Sequence, residues 1–217
     1  IEAAGEYGFQ DIHFDFEYLR PEDREPYNAF LKKAAQRLHA ERLLISTALA
    51  PKTSASQTGQ WYTAHDYRAH GEIVDFVVIM TYEWGYSAGP PMAVSPIGPV
   101  RQVLEYAKTE IPANKIMMGQ NLYGYDWTLP FVKGGAYARA ISPQTAISLA
   151  RENHAFIEYD YTAQAPFFYY RDASQKQHVV WFEDARSIQA KFDLLKELSL
   201  RGVSYWKLGW DFPQNWL

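Results

Sequence analysis

The sequence of 217 residues contains no cysteine, no long apolar run and no block of basic residues. The absence of cysteine excludes disulfide bonds and cysteine-ligated metal sites. No apolar run approaches the roughly 20 residues that a helix needs to cross a bilayer, so the sequence predicts no membrane contact. The formal net charge is −4 and the lysines and arginines are dispersed, which argues against nucleic acid as a partner. No motif indicates a cofactor or a metal.

Aromatic residues are the abundant class, at 16% of the chain, with 16 tyrosines and 7 tryptophans. Their rings fill protein cores, and their flat faces with polar edges also stack on sugars. Packing in the core and in loops accounts for most of them, so this abundance alone assigns no function. A chain of this length can bury one sizeable core but hardly two domains.

Short apolar segments rich in branched residues alternate with helical patterns along most of the chain. We predict strands at Ile12–Phe16, Leu43–Ala48, Ile73–Thr81, Lys115–Gln120 and Gly202–Leu208, and helices at Glu22–Glu41, Val100–Thr109 and Asp184–Leu200. The third strand is almost entirely apolar, as expected when helices cover both faces of a sheet. The alternation predicts an α/β fold with a parallel sheet, either a barrel or a doubly wound sheet.

The segment 128–183 departs from this alternation. Ser142 and Pro143 are typical of a helix start, and we predict a helix from there to about Asn153. Three β-like stretches follow, at Phe156–Tyr161, Phe167–Arg171 and His178–Phe182. We interpret 128–183 as an α+β hairpin lobe inserted into a single domain over residues 1–217.

The first predicted strand carries a pair of carboxylates at its end. Because side chains alternate along a strand, His13, Asp15 and Glu17 are expected to point the same way. Two carboxylates this close repel each other, which raises one pKa and keeps one acid protonated near neutral pH. The alternative is a strand-end pair that only caps loop amides. The spacing by itself leaves both interpretations open.

The run GFQDIHFDFEYLRP resembles the fourth-strand signature of glycoside hydrolase family 18, D-G-x-D-x-D-x-E. Asp15 and Glu17 match its last two acidic positions. Gln10 and Asp11 stand where the family has Asp-Gly, and His13 replaces the first inner Asp. These departures resemble the branch of spore cortex-lytic N-acetylglucosaminidases, which hydrolyse peptidoglycan fragments.

The resemblance continues along the chain to its last strand. Residues 79–82 resemble the sixth-strand M-x-Y motif, with Glu83 where chitinases more often carry Asp. Residues 119–127 resemble the seventh-strand region, and residues 180–187 and 202–209 resemble the approach to the eighth strand. The resemblance therefore implies a TIM-type (β/α) barrel of which this chain is one partial catalytic domain, holding about the last five strands.

Nothing in the chain resembles family strands one to three. The chain is then a fragment, or takes its upstream strands from another chain, or is a naturally shortened barrel. An exposed edge at the first predicted strand invites pairing with another chain. We therefore predict either a homo-oligomer or a missing amino-terminal barrel segment.

The family resemblance implies a retaining mechanism in which the substrate's own acetamide is the nucleophile. By position, Glu17 would protonate the glycosidic oxygen and later activate water. Asp15 would hydrogen-bond the acetamide N–H and orient its carbonyl group toward the anomeric carbon. Tyr82 would donate its hydroxyl to that carbonyl oxygen.

The resemblance also suggests residues that bind the substrate. Trp206 resembles the floor residue against which the sugar and its N-acetyl group pack. The other candidates are Met80, Gln120, Asn121 and Tyr123 in the pocket, His13 as a residue that tunes Asp15, and Trp84, Tyr86, Tyr125 and Trp127 as loop residues that stack on flanking sugars. For His13 the alternative is a buried histidine with satisfied hydrogen bonds. Ordinary packing is the alternative for the aromatic candidates. The other five histidines are assigned no role.

The implied function is hydrolysis of N-acetylglucosaminyl linkages in spore cortex peptidoglycan, by a protein that is secreted or associated with the spore or cell wall. A chitinase acting on chitin oligomers would use the same Asp15 and Glu17. A non-catalytic glycan-binding module is a third interpretation, because the barrel is incomplete. A purely structural domain has only the missing strands in its favour.

Overall fold

The protein, seen in a computed structural model, is described over residues 1–216, so residue 217 of the predicted domain lies outside the described residues. Its chain forms two compact units. Unit 1 comprises Ile1–Thr81, Gln102–Gly119 and Leu198–Ser204, and unit 2 comprises Tyr82–Arg101, Gln120–Glu197 and the chain from Tyr205 onward. The predicted bounds of a single domain and of a lobe at 128–183 stay predictions.

The secondary structure alternates strands and helices, as the sequence predicts. The helices are α1 (Glu2–Tyr7), α2 (Arg24–Ala40), α3 (Tyr67–Ile73), α4 (Ile97–Glu110), α5 (Pro143–Glu152) and α6 (Ala185–Glu197). The strands are β1 (Asp11–Phe14), β2 (Leu44–Leu49), β3 (Phe76–Ile79), β4 (Ile116–Asn121), β5 (Gly124–Thr128), β6 (Arg139–Ile141), β7 (Glu158–Asp160), β8 (Ala165–Arg171), β9 (Gln177–Trp181) and β10 (Gly202–Trp206). Short 3-10 helices lie at Pro21–Asp23, Ala113–Lys115 and Pro213–Trp216.

A five-stranded sheet in the order β1-β2-β3-β4-β10 forms the half-barrel that the sequence predicts. The strands from β1 to β4 pair in parallel, with Asp11 opposite Leu44 and Val77 opposite Ile116. Fully buried apolar side chains of this sheet and of helices α2 and α4 belong to the core: Leu31, Ile45, Leu49, Val77, Ile79 and Leu104. Burying each such side chain contributes roughly 1.5–3 kcal/mol to folding. Strand β1 stands at one edge of the sheet.

The predicted strands Ile12–Phe16 and Ile73–Thr81 differ most from the strands in the structure. Strand β1 ends at Phe14, two residues before the predicted end, so Asp15 and Glu17 lie in the loop that follows it. Ile73 does not begin a strand but ends helix α3, which the sequence pattern did not reveal. This helix has seven residues and contains Gly71, so its apolar periodicity is too short to recognise.

A second sheet lies in unit 2, in the order β6-β5-β9-β8-β7, with antiparallel pairing throughout the registers described. One face packs on α5 through Ala146, Phe168 and Val180. Helix α5 begins as predicted, since the Ser142 hydroxyl accepts a hydrogen bond from the Thr145 amide and Pro143 occupies the first turn. The sheet starts at β5, ahead of the predicted lobe.

Gly124 sets how closely β5 approaches β9. A Cβ atom at this position would lie 2.2 Å from the Trp181 carbonyl oxygen, so no larger residue fits without a backbone shift. The opposite face of the sheet from α5 carries the buried aromatic side chains of Tyr125 and Trp127. Among the described residues, no helix is both long and apolar enough to traverse a bilayer.

Candidate active site

The loop after β1 holds the two carboxyl groups that the sequence predicts to be catalytic. Asp15 and Glu17 are two residues apart in this loop, and their carboxyl groups lie close enough to interact electrostatically. Burial raises the pKa of Glu17 above its ordinary value, and the neighbouring Asp15 raises it further. The expected rise of one pKa in this pair is therefore found at Glu17.

His13 belongs to a hydrogen-bonded row on β1 and β2. The Ser46 hydroxyl donates to Asp11 Oδ2 over 2.6 Å, so His13 Nδ1, at 2.8 Å from Ser46 Oγ, carries the hydrogen and donates to that oxygen. Desolvation lowers the pKa of His13 more than the charges of Asp11 and Asp15 raise it. The imidazole is therefore neutral near pH 7. The predicted tuning of Asp15 by His13 stays a prediction.

The next row links β1 to β2 and α2. The Thr47 hydroxyl donates to the Phe14 carbonyl oxygen over 3.0 Å and lies 2.9 Å from the Tyr27 hydroxyl. Past Phe14 the backbone leaves the sheet, and Tyr18 adopts a left-handed φ of 55°. The Phe16 carbonyl oxygen, between the two acidic residues, lies 2.9 Å from Nε2 of the buried His65.

His65 is a residue of the site that the sequence analysis missed. It was grouped with the histidines that carry no signal, because it precedes a helix too short to recognise. The burial of His65 results from the packing of its loop against β2, and a local sequence pattern does not reveal such packing.

Unit 2 gathers a second group of predicted residues around Glu83. Tyr123 and Tyr125 both donate their hydroxyls to Glu83 Oε1, with a distance of 3.0 Å for Tyr125. Glu83 adopts a left-handed φ of 67°, a conformation that is uncommon for a residue with a Cβ. Desolvation raises the pKa of Glu83, against the two hydroxyls, which lower it. Tyr82, the neighbour of Glu83, packs against the same aromatic cluster.

The amide side chains of Gln120 and Asn121 are fully buried at the end of β4. Gln120 Nε2 donates to the Asn121 carbonyl oxygen over 3.0 Å, and Asn121 Nδ2 donates to the Tyr123 carbonyl oxygen over 2.7 Å. Gln120 Oε1 is buried and has no hydrogen-bond partner. A ligand that donates a hydrogen bond would satisfy this oxygen.

The remaining candidates differ in exposure. Trp206 is 49% exposed at the end of β10. Trp84 is partly buried, and its amide donates to the Val94 carbonyl oxygen. Met80 is buried in unit 1. Trp127 is only 2% exposed and donates to the Gly89 carbonyl oxygen, so its predicted stacking on sugars is wrong because its ring is part of the core.

Tyr125 and Tyr86 complete the predicted stacking residues. Tyr125 is 8% exposed and belongs to the same buried cluster as Trp127, which also removes its ring faces from solvent. Tyr86 is exposed. Over residues 1–216, His, Asp and Glu side chains form no group of three or more that could hold a metal ion.

Comparison with known proteins gives a consistent result over the whole chain. A family model described as "Glycosyl hydrolases family 18" matches residues 1–211. The "Cortical fragment-lytic enzyme" of Bacillus subtilis is 74% identical over 217 residues, which are 100% of this chain and 50% of that protein. The protein with the same description from Bacillus anthracis is 58% identical over 216 residues, with the same two shares. The chain thus spans about half the length of these relatives.

Solved structures show the same similarity. The spore cortex-lytic enzyme SleL of Bacillus megaterium matches with a TM-score of 0.95 and 68% identity, covering 99% of this chain and 49% of the other. A chitinase from Chromobacterium violaceum matches with a TM-score of 0.91 and 28% identity, covering 99% of this chain and 66% of the other. The half-barrel therefore has close counterparts in longer solved proteins.

Proposed function

This chain belongs to glycosyl hydrolases family 18, and from that premise we propose that it supplies the catalytic carboxylates of a glycosidase. The substrate is the N-acetylglucosaminyl linkage of spore cortex peptidoglycan. The observation that carries the proposal is the placement of Asp15 and Glu17 together in the loop after β1, where burial and the neighbouring Asp15 raise the pKa of Glu17. A raised pKa keeps Glu17 protonated closer to neutral pH, as a general acid requires.

The proposed reaction has two steps. In the first, Glu17 transfers its proton to the glycosidic oxygen while the C–O bond breaks, and the acetamide carbonyl oxygen of the substrate closes on the anomeric carbon. Asp15 accepts a hydrogen bond from the acetamide N–H and offsets the developing positive charge. Tyr82 donates its hydroxyl to the acetamide carbonyl oxygen. In the second step, Glu17 takes a proton from a water molecule that attacks the anomeric carbon, the bond from that carbon to the acetamide oxygen breaks, and the configuration is retained.

The proposed substrate rests on the relatives with the highest identities given above. Those at 74% and 68% identity are described as a cortical fragment-lytic enzyme and a spore cortex-lytic enzyme. A chitinase remains the second candidate, favoured by the structural match at 28% identity. The retained acid at Glu17 supports catalysis over a glycan-binding module. On this proposal the protein acts at the spore or cell wall.

The experiment compares two substrates with the full-length protein. We expect release of N-acetylglucosamine-terminated products from cortical peptidoglycan fragments, identified by mass spectrometry, with the β-anomer formed first in proton NMR. Faster turnover of chitin oligomers than of cortical fragments would replace the proposal by a chitinase. Binding of both glycans without any cleavage would replace it by a binding module.

A further inference from the structure

His65 is buried in unit 1, directly beneath the loop that carries the two acidic residues. It is 2% exposed and lies one residue before the N-cap of α3. Its main chain is also fixed, because its carbonyl oxygen accepts a hydrogen bond from the buried Lys52 ammonium over 3.2 Å. The ring can therefore change its position only if this part of the core moves.

Two hydrogen bonds determine which ring nitrogen of His65 carries the proton. The Ala50 amide N–H donates to Nδ1 over 2.8 Å, and a backbone amide can only donate. Nδ1 is therefore unprotonated, so the hydrogen is on Nε2. That N–H donates to the Phe16 carbonyl oxygen over 2.9 Å.

A second proton on the ring is disfavoured. Burial lowers the pKa of His65, with the charge of Lys52 acting in the same direction, while the bond to Phe16 and the charge of Asp15 oppose it. Protonation would also place an N–H on Nδ1 against the donating Ala50 amide. The neutral Nε2–H form therefore persists at neutral pH.

The acceptor of this hydrogen bond is the residue between the two carboxylates. Phe16 follows the end of β1 by two residues, and its side chain is 44% exposed. The backbone here is not held by sheet pairing to β2, whose register with β1 ends at Phe14. The direction of the Phe16 carbonyl fixes the peptide plane that leads into Glu17.

We propose that His65 is a positioning residue, which holds the Phe16 carbonyl and so fixes the backbone from which the Asp15 and Glu17 side chains project. Its effect on turnover rests on the proposed function, whereas its effect on the geometry of the two carboxyl groups does not. Placement errors of about 1 Å at a reacting group lower rates by on the order of 100-fold. A residue that touches no substrate can therefore have a large effect on turnover.

The same core contains a matched control, His70. It is fully buried, its ring centroid lies 6.3 Å from that of His65, and neither of its ring nitrogens has a hydrogen-bond partner. Burial lowers the pKa of His70 to about 3, so this ring is neutral too. It packs edge-on against Tyr27. Replacing either histidine by leucine removes a buried imidazole, but only His65→Leu removes the bond to Phe16.

The kinetic test compares His65→Leu, His65→Gln and His70→Leu in the full-length protein. We expect kcat on cortical fragments to fall about 10- to 100-fold in His65→Leu with KM nearly unchanged, because ground-state binding is retained. The glutamine amide can donate to Phe16, so His65→Gln should recover most of the rate. His70→Leu should keep kcat within about twofold. Equal kcat losses in the two leucine variants would overturn the proposal.

A second readout does not need turnover. The titration of the Glu17 carboxyl carbon is followed by carbon-13 NMR, with the signal assigned by its loss in Glu17→Gln. We expect the Glu17 pKa to fall toward its ordinary value in His65→Leu and to stay raised in His70→Leu. If the wild-type protein cleaves neither glycan but the two leucine variants differ in this way, the proposed function is refuted and the positioning role is supported. A Glu17 titration that is the same in both variants would refute the positioning role.

The wild-type protein provides a measurement that does not depend on the folding of a variant. The nitrogen-15 shifts of His65 at pH 7 should show hydrogen on Nε2 and none on Nδ1. Hydrogen on Nδ1 would remove the donor to Phe16 and overturn the proposal.

Discussion

At the scale of single residues, the central feature is the pair of carboxyl groups of Asp15 and Glu17. Side-chain alternation in the sequence was enough to suggest that these groups approach each other, and in the structure Asp15 contributes to the raised pKa of Glu17. The residues that hold them could not be predicted in the same way. His65 is 49 positions from Phe16 along the chain, and such contacts follow from packing, not from local pattern.

Replacing Glu17 by Gln removes the transferable proton while keeping the size of the side chain. We expect hydrolysis of cortical fragments to fall by about 100- to 10,000-fold, the usual contribution of general acid–base catalysis, with fragment binding largely unchanged. Turnover assays with isothermal titration calorimetry measure the two effects separately. Glu22→Gln is the control, because Glu22 is exposed and paired with Arg20. Near-normal turnover in Glu17→Gln would show that another group is the acid.

Replacing Asp15 by Asn tests the electrostatic part of the pair. The substitution removes a negative charge that raises the pKa of Glu17, so the Glu17 pKa should fall. Glu17 would then lose its proton at lower pH, and the basic limb of any residual pH–rate profile would move to lower pH. Carbon-13 titration of Glu17 in the Asp15→Asn protein measures the shift. An unchanged Glu17 pKa would mean that burial alone accounts for the raised value.

At the scale of secondary-structure elements, strongly patterned segments were predictable and short ones were not. Helices α2 and α5 and the five main strands follow from apolar periodicity and from the cap at Ser142. Strand β5 was missed because its residues belong to a motif with a loop-like, aromatic composition, and β6 was missed because it has only three residues. Tyr125 and Trp127 alternate with Asp126, an apolar–polar alternation that is typical of a strand, although all three side chains are buried in the structure.

The junction between β9 and α6 contains a buried ion pair that tests the stability of unit 2. Lys191 Nζ lies 2.9 Å from Glu183 Oε2, and both side chains are 1% exposed. Lys191→Met leaves an uncompensated buried carboxylate, and we expect the free energy of unfolding to fall by about 3–5 kcal/mol. Urea denaturation followed by circular dichroism measures it.

The double variant Glu183→Gln/Lys191→Met is the control for this ion pair, since it removes both charges. It should recover much of the lost stability. Equal losses in the single and double variants would show that packing of the lysine stem, and not the unpaired charge, is responsible.

At the scale of the whole molecule, the sequence predicted a half-barrel, and the sheet order places β1 at its edge. Family motifs made the strand numbering possible, because periodicity alone could not separate a barrel from a doubly wound sheet. The relatives that match are about twice as long as this chain. What pairs with β1 stays a prediction: a second copy, or a further segment of a longer protein.

Sedimentation velocity distinguishes the two predicted partners of β1. We expect the 217-residue chain alone to associate with itself as its concentration rises, because an open strand edge offers unpaired N–H and C=O groups. A protein of the length of its relatives should stay monomeric under the same conditions. If the short chain is monomeric at every concentration, the edge of β1 does not drive association.

The lack of a side chain at Gly124 affects the position of the Glu83 carboxyl group. The hydrogen of Gly124 faces the Trp181 carbonyl across a gap that would leave an added carbon only 2.2 Å from that oxygen. A methyl group there would force β5 away from β9, and the two phenols that flank residue 124 would be carried along. The Glu83 carboxyl group would then lose its hydrogen bonds from the Tyr123 and Tyr125 hydroxyls. One hydrogen atom thus sets the placement of three polar groups.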